Sequence, residues 1–175
     1  MTAAQSLEEL IRGCGHSALH LEMRDGYMRS DPGFAAWRQG FRHDPADRGS
    51  WWSAWAQLVA DQVGHGVRMR RARIVSEPLS DYMRYEYDVT FTNVNAGEEV
   101  RWLPRRQASD LALPGNDFWL LDESTVVFLH FTGEGEVPEH DDIEVIETRD
   151  TVELCRAAFE AVWQRAVPHE KYHPA

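Results

Sequence analysis

Apolar positions recur along this chain with two different periods. From His16 to Asp25 the period is two: Leu19, Leu21 and Met23 point one way, and His20, Glu22 and Arg24 the other. That alternation predicts a strand with one apolar face. Val67–Val75 predicts a second strand, in which Met69 and Ile74 are apolar and four arginines crowd the polar positions. Glu99–Leu103, Phe118–Leu121 and the apolar run Thr125–Phe131 predict three more, the last of central character. Glu136–Glu147, rich in acids that discourage extra pairing, predicts an edge strand.

Elsewhere the spacing is helical. Residues 6–12 predict a short helix that ends at Gly13-Cys14-Gly15, and Phe34, Trp37 and Phe41 mark another after the Asp31-Pro32-Gly33 turn. Ser50 is placed to cap a helix whose stripe is Trp51, Trp52, Trp55, Leu58, Val59 and Val63, stopped by Gly64 and Gly66. This tryptophan cluster reads as core packing. Thr148 or Asp150 caps a final helix with the stripe Val152, Cys155, Ala158, Phe159, Val162 and Trp163, ended by Pro168. Residues 82–94 carry conflicting signals. Met83, Tyr85, Tyr87, Val89 and Phe91 alternate as in a strand, whereas Ser76-Glu77-Pro78-Leu79 opens like a helix. The fold class expected is α+β or α/β: a single mixed, partly antiparallel sheet flanked by helices around an aromatic-rich core. Residues 1–175 form one domain, with loosely ordered ends expected at 1–16 and 168–175.

Charge changes this picture. The net charge is -11, yet residues 67–106 hold eight arginines against six acids. Residues 107–175 hold four basic residues against fifteen acids. The acidic excess argues against direct nucleic-acid binding, which needs a net basic face. Two distant cysteines without a C-x-x-C pair fit a reducing cytoplasm, and no apolar stretch is long enough for a membrane span.

Motifs with chemical precedent fall short. His169-Glu170-Lys171-Tyr172-His173 has zinc-protease spacing, but prolines at 168 and 174 bracket it and it reads as a frayed polar tail. Cys14 lacks a base that the sequence can place beside it. His16, His20 and Glu22 have no second ligand cluster, so neither a metal nor a cofactor is expected. Gly133-Glu134-Gly135 is no phosphate cradle. The densest charged group comprises Glu77, Asp81, Arg84, Arg101, Arg105, Arg106, Asp110 and Asp117. It is open to two readings: a cleft for an anion or partner, or internal ion pairs.

The blocks His20-Leu-Glu-Met-Arg-Asp25, Arg73-Ile-Val-Ser-Glu-Pro-Leu-Ser-Asp-Tyr82, Leu113-Pro-Gly-Asn-Asp-Phe-Trp119 and Phe159-Glu-Ala-Val-Trp-Gln-Arg-Ala-Val-Pro168, with Ala96-Gly-Glu98, resemble an actinobacterial family of unknown function. The resemblance runs from about Ser17 to Tyr172. It implies helix after the Ser-Glu-Pro block, and genes lying beside helix-turn-helix regulators. The C-terminal pattern faintly resembles degenerate phospholipase-D-like sensor domains, without a usable His-x-Lys and Asp set. The function expected is a non-catalytic, cytoplasmic binding module, a regulatory partner of a helix-turn-helix protein. It would bind an acidic ligand or protein through an arginine-rich cleft of Arg71, Arg73, Arg84, Arg101, Arg105 and Arg106. Glu77 and Asp81 would orient these arginines, and Tyr82 and Trp102 would form walls. Arg24 and Asp117 are further candidates. The alternative is a small enzyme acting on a phosphate or carboxylate substrate with His20 and Glu22 as acid and base.

Overall fold

The computed structural model describes residues 6–140 and 142–174. Seven strands form one mixed sheet: β1 Ser17–Glu22, β2 Arg68–Val75, β3 Glu99–Pro104, β4 Phe118–Leu121, β5 Thr125–Leu129, β6 Ile143–Ile146 and β7 Val167–Pro168. Their order is β6-β5-β4-β1-β2-β3-β7. The β1–β2 and β2–β3 pairs are parallel and all others antiparallel. Parallel neighbours need long crossovers, and helices supply them. Helix α3 (Ala54–Gly64) lies between β1 and β2, and α4 (Asp81–Val89) and α5 (Phe91–Ala96) between β2 and β3. The antiparallel β4–β5 hairpin needs only a tight turn, with positive φ at Asp122 and Glu123. The Asp122 carboxylate then accepts the N–H groups of Gly15, His16 and Ser17 at 2.8–2.9 Å, tying the turn to the start of β1. This is an α+β fold with a single mixed sheet.

One long helix, α6 (Arg149–Arg165), covers one face. Its Val152, Cys155, Phe159, Val162 and Trp163 pack on Leu19, Leu21, Ala72, Ile74 and Leu103. The opposite face carries two clusters. Under α1 (Leu7–Arg12) and α3 lie Ile11, Leu58, Val59, Met69, Trp119 and Val127. Under α2 (Pro32–Arg38) and α4 lie Phe34, Val75, Tyr82, Met83 and Trp102. Among the described residues no helix is long and apolar enough to cross a membrane.

Several expectations need correction. Residues 81–96 are helical, as the resemblance implied and the local alternation did not. Helix α3 starts at Ala54 and is capped by Ser53, whose Oγ accepts from Ala56 N at 3.1 Å. Ser50 caps nothing, and Trp51 and Trp52 precede the helix. Trp51 instead packs edge-on against Phe91. Strand β1 has no solvent face, because both of its sides are buried. Strand β5 lies one place from the edge formed by β6. The described parts of the two ends, residues 6–16 and 168–174, are docked, and residues 1–5 and 175 lie outside the described residues. Ser6 and Glu9 cap α1 reciprocally, and Ile11 is fully buried. Tyr172 is buried, stacks on Trp102 and donates its hydroxyl to Glu77 at 2.7 Å.

Candidate functional site

Strand parity decides which side chains meet. In the parallel register His20 lies beside Arg71 and Glu22 beside Arg73, while His20 faces Trp119 across the antiparallel pair. All five project onto the face covered by α3, α4 and α5. There they line a cavity of about 340 Å³, with Tyr27, Tyr82, Glu86, Trp55 and Asp117 on the remaining sides. A pocket of this size suits a small ligand.

The polar floor is a connected network. Glu22 accepts from Arg71 through one oxygen and from Arg73 Nε through the other. Arg71 Nε donates to Glu98 at 2.9 Å, and the second oxygen of Glu98 accepts from Asn93 at 2.6 Å. Arg73 also reaches Glu86 and the Thr90 hydroxyl, each at 2.6 Å. The His20 ring stacks on Trp119 with centroids 4.3 Å apart. Its Nδ1 lies 3.0 Å from the Phe118 carbonyl and its Nε2 3.1 Å from Glu22. Both neighbours are acceptors, so only the doubly protonated ring donates to both at once. Glu98 and Arg73 are nearly inaccessible, at 2% and 3% exposure.

Electrostatics follow from this packing. Burial would raise the Glu22 carboxyl, but Arg73 and Arg71, with help from His20, hold it well below the usual carboxylate range. Burial also opposes the charge on Arg71, and Glu98 and Glu22 more than restore it. Asp117 moves the other way. Burial raises it although it accepts from the Tyr27 hydroxyl and the Met23 N–H. Tyr27 is itself raised well above its ordinary value, first by burial and then by Glu22 and Asp117. Four carboxylates (Glu22, Glu86, Glu98 and Asp117) thus surround two guanidinium groups and one imidazole. With all four ionised, the cluster is not net positive even when the ring is protonated.

The ten arginine-cleft candidates do not share one cleft. Arg71, Arg73 and Tyr82 line the cavity, but both arginines are already paired with carboxylates. Trp102 faces the same side, fully buried beneath Tyr172 and Tyr87, and donates to His169 Nδ1 at 3.1 Å. Arg101 projects to the α6 face, 4.2 Å above the Trp163 ring, and donates to the Trp163 carbonyl. Strand parity separates it from Arg71, because Arg101 pairs with Ala72 in the β2–β3 ladder. Arg105 ties loop ends together through Asp25, Ser76 and the carbonyls of Met23 and Ile74. Arg106 is exposed on a 3-10 turn. Arg84 and Asp81 form an exposed pair at 3.8 Å, and Glu77 serves Tyr172. Of the further candidates, His20, Glu22 and Asp117 are in the cavity, whereas Arg24 sits over Phe131. His169 belongs to a docked turn rather than a frayed tail. Among the described residues no group of three or more His, Cys, Asp or Glu side chains is arranged to hold a metal.

Sequence reasoning missed Glu86, Glu98, Tyr27, Trp55 and Trp119 as site residues. Two of them had a readable signal. Glu86 is four residues from Tyr82 on α4, hence on the same helical face. Glu98 has the parity of Val100 and Trp102, the buried side of β3.

No curated protein matches the chain. Among solved structures it is similar to TrmBL2, an archaeal chromatin protein whose structure shows a mode of DNA binding. The identity is 13% and the TM-score 0.48, covering 91% of this chain and 48% of that one. The chain spans about half the length of that protein. In sequence, residues 5–174 match a family described as a domain of unknown function, and over that length the chain belongs to the DUF6879 family.

Proposed function

We propose that this domain is a non-catalytic binding module that takes a small molecule into the cavity between β1, β2, β4 and helices α3–α5. It would serve as the accessory partner of a helix-turn-helix regulator protein. The observation that supports this reading is a walled, aromatic-lined cavity whose ionisable groups are spent on one another. Acid–base chemistry needs a group with a free proton or lone pair and a pKa near the working pH. Glu22 is clasped by two arginines and held far too acidic to act as a base. Both nitrogens of His20 already have protein partners. Juxtaposition of His20 and Glu22 at 3.1 Å therefore favours a structural pair over an acid–base pair.

Thermal unfolding of the wild type, with and without the low-molecular-weight fraction of a cell extract, tests the reading. A ligand at about 100 times its Kd adds about 2.7 kcal/mol. For a domain of this size that raises Tm by roughly 5–11 °C. Leu129→Phe, which adds bulk to the cavity wall, should abolish the shift while leaving the unliganded fold intact. A helix-turn-helix regulator, if one is encoded beside the gene as the sequence resemblance implies, should co-purify with the domain. An unmoved Tm together with no retained regulator rejects the proposal.

A further inference from the structure

We infer that the ligand of this cavity is a ring-bearing molecule that carries no negative charge and is rich in hydrogen-bond acceptors, an inference that rests on the binding-module reading above. Three observations lead there. The first is the charge count. A positive site draws anions, but here Arg71 and Arg73 already share three carboxylates, and Asp117 brings a fourth to the wall. An incoming anion would meet no uncompensated positive charge and would face Glu86 and Asp117 in a buried setting, where the desolvation cost is not repaid. This reverses the anionic ligand expected from the arginine strip.

The second observation is what remains unspent. Arg71 commits Nε to Glu98 and Nη1 to Glu22, which leaves Nη2. Among the described residues, neither the Tyr82 hydroxyl nor the Trp119 indole N–H has a hydrogen-bond partner, and both residues line the cavity. Guanidinium and indole groups can only donate, and a hydroxyl can donate as readily as accept. A ligand offering carbonyl, ring-nitrogen or hydroxyl oxygen acceptors would satisfy them. The third observation is shape. Tyr27, Trp55, Tyr82 and Phe131 present ring faces and edges around the space, a surround that favours a flat ring over a flexible chain.

An isosteric series separates the charge classes. Nicotinamide is neutral and nicotinate anionic; adenosine and adenosine 5′-monophosphate form a second pair on a larger scaffold. Binding is read from the indole N–H resonances of the tryptophan-labelled full chain, in which Trp119 and Trp55 report the cavity. The neutral member of each pair should bind at least about tenfold more tightly than its anion, as expected for a negative charge buried without a partner. Glu86→Gln removes one wall carboxylate that pairs with Arg73. It should improve nicotinate binding by about fivefold or more while changing nicotinamide by less than about twofold. A cooperative unfolding transition and tryptophan resonances dispersed as in the wild type confirm that this variant is folded, whatever Tm it loses with the Arg73 pair. Nicotinate matching nicotinamide, or adenosine 5′-monophosphate matching adenosine, in the wild type overturns the inference and leaves the binding-module reading standing. Binding that leaves the Trp119 and Trp55 resonances unmoved overturns the cavity as the ligand site and the inference with it, and no binding by any of the four probes overturns the inference alone, since the extract and co-purification tests decide the binding-module reading.

Discussion

Replacing Glu22 by glutamine tests the network at its centre. The carboxylate holds Arg71 through one oxygen, Arg73 through the other, and His20 at 3.1 Å. Glutamine keeps the shape but turns an acceptor into an NH2 that points at an arginine donor. Glu22, Arg71 and Arg73 are all buried, so little water can step in. Removing one partner of such a pair costs about 3–5 kcal/mol, against less than about 1 kcal/mol for an exposed pair. For a domain of this length that is a Tm loss of roughly 6–20 °C. Urea unfolding followed by tryptophan fluorescence at pH 7 measures it. The pH dependence is a second, independent check. The folded pKa of Glu22 is depressed, so its contribution is complete above the unfolded value of about 4.3 and disappears as pH falls through the folded value. The gap between wild type and E22Q should therefore be constant above about pH 5 and close progressively at lower pH. A gap below about 1 kcal/mol at pH 7, or one that persists unchanged to about pH 2, would refute the buried network.

Three smaller predictions follow from local geometry. Tyr172→Ala strips the stacked cover from Trp102 and the hydroxyl from Glu77, and should cost about 3–5 kcal/mol by chemical denaturation, with altered near-ultraviolet circular dichroism. Ser53→Ala should cost about 1 kcal/mol and Ser50→Ala less than about 0.5 kcal/mol, a contrast that separates the true cap of α3 from the one the sequence suggests. Gly97 has φ 106° and a Cβ there would lie 3.0 Å from Val63 Cγ1. Gly97→Ala should therefore destabilise by more than about 1 kcal/mol, and adding Val63→Ala should relieve only the steric part, since the left-handed backbone stays unfavourable.

Apolar patterning made much of the sheet legible because strands β3, β4 and β5 carry it in their own residues. It failed where burial is set by a distant partner. Strand β1 alternates apolar and polar and so announces one wet face. That face is dry because Arg71, 51 residues after His20, comes to lie beside it. The α4 segment alternates Met83, Tyr85, Tyr87 and Val89 like a strand, yet a Ser80 cap and packing of Tyr82 and Met83 hold it helical. For the site, the arginine strip pointed to the right strand and the wrong chemistry. Sequence proximity grouped Arg101, Arg105 and Arg106 with Arg71 and Arg73, whereas parity and strand ends scatter them over two faces and a loop. The counter-charges were equally hard to see: Glu22, Glu86 and Glu98 come from three separate elements. No local rule associates them until the parallel ladder is built.

The salt-linked floor also disciplines how the central strands come together. Arg68–Val75 carries polar and apolar residues on both sides, so greasiness alone would tolerate more than one alignment against β1. Sliding β2 by a single residue would swing Arg71 and Arg73 among Phe159 and Trp163 and carry Ala72 and Ile74 into the opposite layer. Glu22 would then face at most one guanidinium, that of Arg70, where the native register gives it two. The guanidinium–carboxylate contacts thus act as a proofreading key, and mis-threaded pairings of the parallel core are rejected by the charges they strand.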